Sequence, residues 1–172
     1  MDTPIGELLL VADGAGKLRA LDWTDYEQRM LRLLRLHYGK NGYTLVPTHN
    51  LHGLRDKMER YFEGDIYAID DIEVETAGTP FQRRVWKELR NIPSGSPISY
   101  GKLAELIDRP NAVRAVGLAN GSNPIGIVVP CHRVIGANGS LTGYGGGLAR
   151  KKWLLEHEQR NGSRGRSRRQ FP

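Results

Sequence analysis

The single cysteine of this 172-residue chain, Cys131, lies in the stretch IVVPCHRVIG, directly before a histidine and an arginine. A thiol acts as a nucleophile in its thiolate form, which a nearby imidazole or cation favours. The apolar run before Pro130 predicts a buried strand, on which neighbouring side chains point to opposite faces. Cys131 and His132 can therefore cooperate only if the backbone turns after Pro130. Without a further partner, an inert core cysteine is the simpler interpretation.

The segment LARKKWLLEHE predicts a closing helix that supplies a candidate partner. At about 100° per residue, Glu158 falls between Leu154 and Leu155 on the apolar stripe, whereas Glu156 points away. A buried carboxylate is costly unless it is paired. Pairing with His132 would form a Cys–His–Glu chain in which the acid orients and charges the imidazole. The alternative is that Glu158 lies in water at a frayed helix end.

A second candidate site is the short predicted helix AVRAVGLAN, which is rich in alanine and glycine. Val113 and Val116 predict a packing stripe, which leaves Arg114 and Gly117 facing outward. Such a helix can lie in a groove of DNA with its arginine projecting. It can equally pack on its own neighbours with Arg114 solvated, and the spacing favours neither interpretation.

The stretch TGYGGG places Tyr144 among glycines. Because few side chains restrain such a backbone, the loop can close over a flat ligand, or it can be a simple surface hairpin loop. Asn123 stands directly before Pro124 and is expected to end a turn.

The elements that position these residues follow from hydrophobic periodicity. The predicted elements are a hairpin of strands 8–11 and 18–23, helices over 26–38 and 51–62, a helix capped by Thr79, short helices over 99–107 and 112–120, an apolar strand over 125–129 and a helix over 148–158. Met30, Leu33, Leu34 and Leu36 are expected on one face of the first helix, and Asn111 is expected to cap the helix over 112–120. Two short helices across a tight turn outline a helix-turn-helix.

Composition narrows the class of protein. The apolar content of 39% suffices for a modest core. No run approaches the ~18 apolar residues of a membrane span, and the first residues lack the basic start of a signal peptide, so a cytoplasmic location is expected. One cysteine excludes an internal disulfide and multi-cysteine zinc sites.

The net charge of +6 is unevenly distributed. Residues 1–78 carry a net charge of −5, residues 79–159 carry +6 and residues 160–172 carry +5. An acidic first half and a basic second half indicate two units, the second facing a polyanion, although a chance asymmetry of solvated faces would look the same. The tail RNGSRGRSRRQFP is too polar and glycine-rich to fold alone.

With RAVGLANGSNP, IVVPCHRVIG, GYGGG and WLLEHE in this order, the chain resembles the O6-alkylguanine-DNA alkyltransferases of the bacterial Ogt type. The resemblance is dense over residues 79–159 and holds only in outline over 1–78. It implies an α+β fold with an N-terminal RNase H-like α/β domain, residues 1–75. A C-terminal winged helix-turn-helix domain, residues 76–159, would bind DNA and catalyse the reaction, and residues 160–172 would form a disordered basic tail.

The resemblance also implies a reaction. Such proteins bind the minor groove of double-stranded DNA that contains O6-alkylguanine, flip the damaged nucleotide out and transfer its alkyl group to a cysteine once. O4-alkylthymine is an expected second substrate. The protein is expected to act as a monomer without cofactor or metal, with clustering on DNA left open.

Residue by residue, the resemblance makes Cys131 the acceptor. His132 would take the thiol proton through a bound water, Glu158 would orient and charge the imidazole, and Asn123 would hold the active-site turn.

The resemblance assigns the remaining site residues to DNA binding or to the guanine pocket. Arg114 would fill the gap left by the flipped base and Tyr100 would crowd the 3′ phosphate. The DNA-binding helix would also present Ala115 and Gly117, and the pocket would be walled by Tyr144, Gly145, Gly146, Pro130 and Val134.

Gly145 departs from the family pattern, since many relatives have serine there, and a roomier pocket that accepts larger alkyl groups is expected. Two other classes of protein fit parts of the pattern. A thiol hydrolase would use the same Cys–His–Glu chain over many turnovers, and a lesion-binding protein would share the DNA-binding half without reacting.

Overall fold

The computed structural model describes residues 1–49 and 51–168, with side chains described through residue 162. The strands are β1 (Asp2–Thr3), β2 (Gly6–Ala12), β3 (Leu18–Trp23), β4 (Ile98–Ser99) and β5 (Val134–Ile135). The α-helices are α1 (Glu27–Tyr38), α2 (Leu54–Phe62), α3 (Pro80–Leu89), α4 (Tyr100–Leu106), α5 (Val113–Gly121) and α6 (Leu148–Arg168). Helix and sheet are therefore mixed, as the sequence predicts.

The N-terminal sheet has the order β1-β2-β3 and is antiparallel. The hairpin predicted from the sequence is confirmed, with Leu8 opposite Trp23 and a register shift between Val11 and Ala12. Asp13 holds the turn, since its carboxylate accepts the backbone N–H groups of residues 15 and 17. The hairpin thereby brings the carboxyl end of β3, with Asp22 and Trp23, towards the second half of the chain.

Helix α1 matches its predicted stripe except at one residue. Met30, Leu33 and Leu34 are buried, but Leu36 is 70% exposed. Two residues beyond Leu34 is about 200° further round the helix, which places Leu36 off the inward face. The helix ends before Gly39, whose φ of 79° requires a residue that tolerates the left-handed side of the backbone map.

Helix α3 begins with the capping box that Thr79 and Gln82 form with each other's backbone N–H groups. Its buried Trp86 donates its indole N–H to the Ala119 carbonyl of α5, at 2.8 Å. Val85 and Leu89 are fully buried beside it. Packing of α3 against the α4–α5 pair thus fixes the outward face of α5.

Two expectations for α5 are wrong. Asn111 does not cap it, because the N-cap residue is Ala112 and no side chain bonds there. Val113 is 40% exposed although Val116 is fully buried. The inward face runs through Val116, Ala119 and Asn120, and Val113 in the first turn falls outside it.

The apolar segment 125–129 is not the strand that its composition predicts. Ile125 forms a single bridge with Leu21, after which the chain turns, with Ile127 at a φ of +65°. Gly126 N donates to Leu21 O at 3.1 Å, and the following backbone bonds are local, from Val129 N to Ile125 O at 3.1 Å and from Cys131 N to Val129 O at 2.8 Å. An apolar run reports burial on all sides and does not by itself distinguish a strand from a buried turn.

Helix α6 also extends beyond its predicted end, since it runs to Arg168. This differs from the expected disordered tail over 160–168, and residues 169–172 lie outside the described residues. Propagation adds one hydrogen bond for each residue fixed once a helix has been nucleated. The packed first turns of α6 therefore allow its polar end to continue as helix.

The larger of two hydrophobic clusters among the described residues joins both halves of the chain, with buried members that include Leu18, Tyr61, Trp86, Val129 and Leu154. Cys131 and Val134 belong to this cluster. The segment that carries the thiol is therefore packed between the N-terminal elements and α6.

No helix within residues 1–49 and 51–168 is long and apolar enough to span a membrane. In the same ranges no three His, Cys, Asp or Glu side chains gather into a possible metal site.

Candidate active site

Cys131 opens a short 3₁₀ helix, Cys131–Arg133, directly after Pro130. The turn closes with a bond from Arg133 N to Pro130 O at 2.9 Å. This is the change of backbone direction that cooperation between Cys131 and His132 requires, because the two residues no longer alternate across a strand. Cys131 is only 5% exposed, so its thiol lies inside the molecule.

Asn123 holds the turn that precedes Cys131. Its Nδ2 donates to Val129 O at 2.7 Å and to Ile125 O at 3.3 Å, and its Oδ1 accepts from Ile125 N at 3.0 Å. The Asn123 side chain is 1% exposed. Its bonds satisfy buried backbone groups that would otherwise pair with a neighbouring strand. Asn120 adds a weaker bond to the carbonyl of Cys131, at 3.4 Å.

His132 and Glu158 form a fully buried pair, with Nε2 and Oε1 2.9 Å apart. The helical phase of α6 predicts this burial of Glu158, and Glu156 is exposed as expected. Burial lowers the pKa of His132, although Glu158 opposes that shift. The neutral ring then carries its proton on Nε2, facing the carboxylate, and leaves Nδ1 as the basic nitrogen. Nδ1 is buried and has no hydrogen-bond partner among the described residues.

Glu158 is ionised in this site. Burial alone would raise its pKa, but His132 and Arg133 hold that pKa well below its usual range. Arg133 donates a hydrogen bond to each oxygen of the Glu158 carboxylate, from Nη2 to Oε1 and from Nε to Oε2, each at 2.8 Å. Tyr61 donates to Oε1 at 3.0 Å and Gly95 N donates to Oε2 at 3.3 Å. An ionised carboxylate with this many donors is a fixed negative charge beside the imidazole.

Sequence reasoning missed the contributions of Tyr61 and Arg133 to this carboxylate site. Tyr61 belongs to the apolar face of α2, and nothing in its spacing distinguishes its hydroxyl from any other core tyrosine. The sequence did carry a signal for Arg133, because a charged residue stands there between two apolar segments. In the structure it is only 4% exposed. Its remaining donors reach Ile92 O and Ser94 Oγ, both at 2.7 Å.

The Cys131 thiol is protonated at rest. Burial raises its pKa, against a hydrogen bond from Asn123 and the positive charges of Arg29 and Lys151. A thiol of this kind needs a base at the moment of reaction. His132, the next residue along the chain, is the candidate for this base, because its Nδ1 has no hydrogen-bond partner among the described residues.

Lys151 of α6 is a fully buried cation that sequence reasoning also missed. Its Nζ donates to Val134 O at 2.6 Å and to Thr142 O at 2.7 Å, and it is not paired with a carboxylate among the described residues. Burial lowers its pKa from 10.5 to about 8, and a Cys131 thiolate would raise it. Lys151 therefore ties two segments around the thiol and favours the thiolate electrostatically.

Replacement of Lys151 by methionine is expected to slow alkylation of Cys131 by iodoacetamide at pH 7 by about threefold to tenfold, since loss of a nearby cation raises the thiol pKa. Lys151 loses its proton as the pH rises through about 8, so the difference between the two proteins should shrink above that pH. Rates measured from pH 6 to 10 test this. Lys152→Met is the matched control, because Lys152 is 68% exposed. Equal rates for wild type and Lys151→Met at pH 7 would contradict this role.

Tyr144 lies half-buried beside His132. Its ring meets that of His132 edge to face, with centroids 6.5 Å apart. Burial raises the pKa of its hydroxyl well above the usual value, and Trp23 and Arg29 oppose that rise. Gly146 lies directly against the Trp23 indole. The loop is therefore restrained by an N-terminal side chain, although its own sequence suggests little restraint.

The other predicted pocket residues lie around the same loop. Pro130 and Val134 are buried on either side of the 3₁₀ helix. Beside Gly145 the expected open space is absent, because the Arg29 guanidinium fills it, and a Cβ at residue 145 would lie 2.5 Å from Cζ. The inference of a roomier pocket at Gly145 is wrong in this respect, because it considered one residue without its neighbour.

The predicted DNA-binding residues share one outer surface. Arg114 and Ala115 are exposed on α5, and Gly117 lies beside the ring of Tyr100, where an added Cβ would be 3.9 Å from it. Tyr100, at the start of α4, donates its hydroxyl proton to Thr142 O at 3.1 Å. The surface is thus continuous with the loop that carries Tyr144.

The chain is similar in sequence to known proteins. A family model described as 6-O-methylguanine DNA methyltransferase, DNA binding domain, matches residues 80–160. A methylated-DNA–protein-cysteine methyltransferase of Shigella flexneri is 56% identical, with 91% of each chain covered. One of Mycobacterium tuberculosis, strain CDC 1551 / Oshkosh, is 47% identical, with 92% of this chain and 90% of the relative covered.

A solved structure extends the likeness to three dimensions. The crystal structure of Mycobacterium tuberculosis OGT in complex with DNA superposes with a TM-score of 0.77 at 44% identity, over 94% of this chain and 91% of that one. Since relatives at these identities span nearly the whole sequence, the chain belongs to the methylated-DNA–protein-cysteine methyltransferase family.

Proposed function

We propose that the protein repairs DNA by moving the alkyl group of O6-alkylguanine directly onto Cys131. The observation that carries the proposal is the buried sole cysteine beside a His132–Glu158 pair at 2.9 Å. Tyr144, whose ring meets that of His132, would wall the guanine pocket, and the exposed Arg114 would contact DNA. The names of the relatives describe the same chemistry, in which the protein's own cysteine is the acceptor.

The proposed step balances protons through His132 and Tyr144. Nδ1 of His132 takes the thiol proton through a bound water, while ionised Glu158 stabilises the imidazolium. The thiolate attacks the alkyl carbon, so that the Sγ–C bond forms as the C–O6 bond breaks and the electron pair passes to the guanine. Tyr144 protonates N3 of the leaving guanine, and the proton held on His132 balances the one that Tyr144 gives.

The product explains why each molecule acts once. A thioether lacks a labile bond through which His132 could regenerate the thiol, so the alkylated protein is spent. O4-alkylthymine presents the same exocyclic O-alkyl group and is a proposed second substrate. A free thiol acceptor suits a reducing compartment, and we propose the cytoplasm.

The proposed complex places α5 in the minor groove of double-stranded DNA, with the protein bound as a monomer. Arg114 would occupy the gap left by the flipped nucleotide, and Tyr100 would crowd its 3′ phosphate. Ala115 and Gly117 would let the backbone approach closely. Residues 76–159 would form the winged helix-turn-helix domain on an RNase H-like domain of residues 1–75, and neighbouring molecules would be able to cluster along DNA.

Arg114→Ala is expected to slow repair of O6-methylguanine in duplex DNA more than roughly tenfold, since flipping costs a few kcal/mol that this side chain would offset. Reaction with the free base O6-benzylguanine needs no flipping and should stay near the wild-type rate. Rate constants for both substrates test this, with exposed Arg109→Ala as the control. An equal loss on both substrates would assign Arg114 to the fold.

The experiment that tests the proposed function is mass spectrometry after incubation with a duplex containing one O6-methylguanine. The peptide with Cys131 should gain one methyl group, with one guanine restored for each protein molecule. Many turnovers without a lasting adduct would indicate a thiol hydrolase. An unmodified peptide beside intact O6-methylguanine would overturn the proposal, and lesion binding in that case would identify a non-catalytic binding protein.

A further inference from the structure

Arg29 links the N-terminal helix α1 to the turn that carries the active site. Its Nη1 lies 2.6 Å from Asp22 Oδ2, and its Nη2 donates to Gly121 O at 2.9 Å and to Asn123 O at 3.0 Å. Asp22 is 4% exposed and the Arg29 side chain 18% exposed. A guanidinium with three geometrically distinct acceptors is held in place far more firmly than a surface arginine.

The same guanidinium occupies the space beside Gly145. A Cβ added to Gly145 would lie 2.5 Å from Cζ, 2.6 Å from Nη2 and 2.7 Å from Nε of Arg29. Gly145 does not have a positive φ, so its backbone would accept a side chain without strain. The three heavy atoms nearest to such a Cβ all belong to the guanidinium.

Arg29 therefore lies between two segments that flank the thiol, the turn at 121–123 and the loop at 144–146. Its charge acts on both Cys131 and Tyr144, favouring the thiolate and the phenolate. Trp23, which adjoins Asp22 on β3, lies against Gly146 of the same loop, and the Arg150 guanidinium stacks 4.5 Å from the Trp23 ring. Residues of the N-terminal half thus lie against the loop at 144–146, which is the proposed wall of the guanine pocket.

We propose that Arg29 is a positioning and specificity-determining residue of the alkyl-transfer pocket, and that it fills the volume which a side chain at residue 145 would otherwise take. The inference rests on the proposed function and names what limits its substrates. Residues 29 and 145 act as a pair, because the space between them holds either the Arg29 guanidinium or a side chain at residue 145. The pair, and not Gly145 alone, sets the room available to the alkyl group.

This pairing predicts how variants at residues 29 and 145 should behave. Arg29→Ala empties the space, so the rate with a benzyl adduct should rise relative to a methyl adduct, while both reactions slow because the 121–123 turn loses its bonds. Gly145→Ser alone forces the guanidinium away from its acceptors and should slow both reactions. In Arg29→Ala/Gly145→Ser, the serine refills the emptied space and the selectivity should return towards wild type.

The test compares single-turnover rates of these three variants and wild type on two duplexes of one sequence, containing O6-methylguanine or O6-benzylguanine. The benzyl-to-methyl rate ratio should increase at least fivefold in Arg29→Ala and fall back to within twofold of wild type in the double variant. Arg29→Lys keeps the charge but not the forked geometry, and should give an intermediate ratio. Loss of fold would lower both rates together and would leave this ratio unchanged.

Arg19→Ala is the matched control, because Arg19 also pairs with an aspartate of the N-terminal half, at 2.7 Å from Asp13, without reaching the pocket. Its rate ratio should equal that of wild type. If wild type methylates Cys131 but Arg29→Ala, with the same circular dichroism spectrum and unfolding midpoint as wild type, keeps the wild-type ratio, the inference fails and the proposed function stands. If wild type does not react with O6-methylguanine, the proposed function fails first.

Discussion

Cys131→Ser is expected to abolish alkyl transfer completely while the fold and the affinity for DNA are retained. A serine hydroxyl is far less acidic than a thiol, and a neutral imidazole does not ionise it sufficiently for direct displacement at an alkyl carbon. The substitution is small and conservative at a site that is 5% exposed, and it leaves Arg114 and α5 untouched.

Two measurements check this prediction. Mass spectrometry should find no methyl adduct after incubation with the O6-methylguanine duplex, and a binding titration with the same duplex should match wild type. Because Cys131 is the only cysteine, the variant should also give no reaction with a thiol reagent. A methylated Cys131→Ser protein would show that another residue accepts the alkyl group.

Glu158→Gln should lower both the rate and the stability substantially. The neutral amide no longer stabilises an imidazolium on His132, so the rate at pH 7 should fall roughly 10²-fold to 10⁴-fold. Arg133 would keep a buried guanidinium without its counter-charge, and loss of one partner of such a pair costs about 3–5 kcal/mol. Single-turnover kinetics and urea unfolding measure the two effects.

The depressed pKa of Glu158 determines how the stability of the fold changes with pH. The pKa of Glu158 is depressed in the folded protein relative to 4.5, so its contribution to stability is present above pH 4.5 and is lost as the pH falls towards the folded value. Wild type should therefore lose stability below that pH more steeply than Glu158→Gln. Glu156→Gln on the same helix is the control, since Glu156 is 53% exposed. Parallel acid unfolding curves for wild type and Glu158→Gln would contradict the assignment.

The sequence predicted best what depends on neighbours along the chain. Spacing within one helix predicts Thr79 as the N-cap of α3, the end of α1 at Gly39 and the burial of Glu158 rather than Glu156. Turn geometry was less accessible. The run at 125–129 is apolar because the surrounding core covers it. An apolar run does not indicate which hydrogen bonds its backbone forms.

The order Pro-Cys-His-Arg and the phase of α6 are properties of the sequence alone, and they suffice to make Cys131, His132 and Glu158 a candidate chain. The hydroxyl of Tyr61 on Glu158 and the guanidinium of Arg29 on Asn123 were decided by tertiary structure. These contacts join residues 97 and 94 positions apart. Local periodicity reports which face of an element is buried, whereas only the packing of distant elements decides which polar groups meet there.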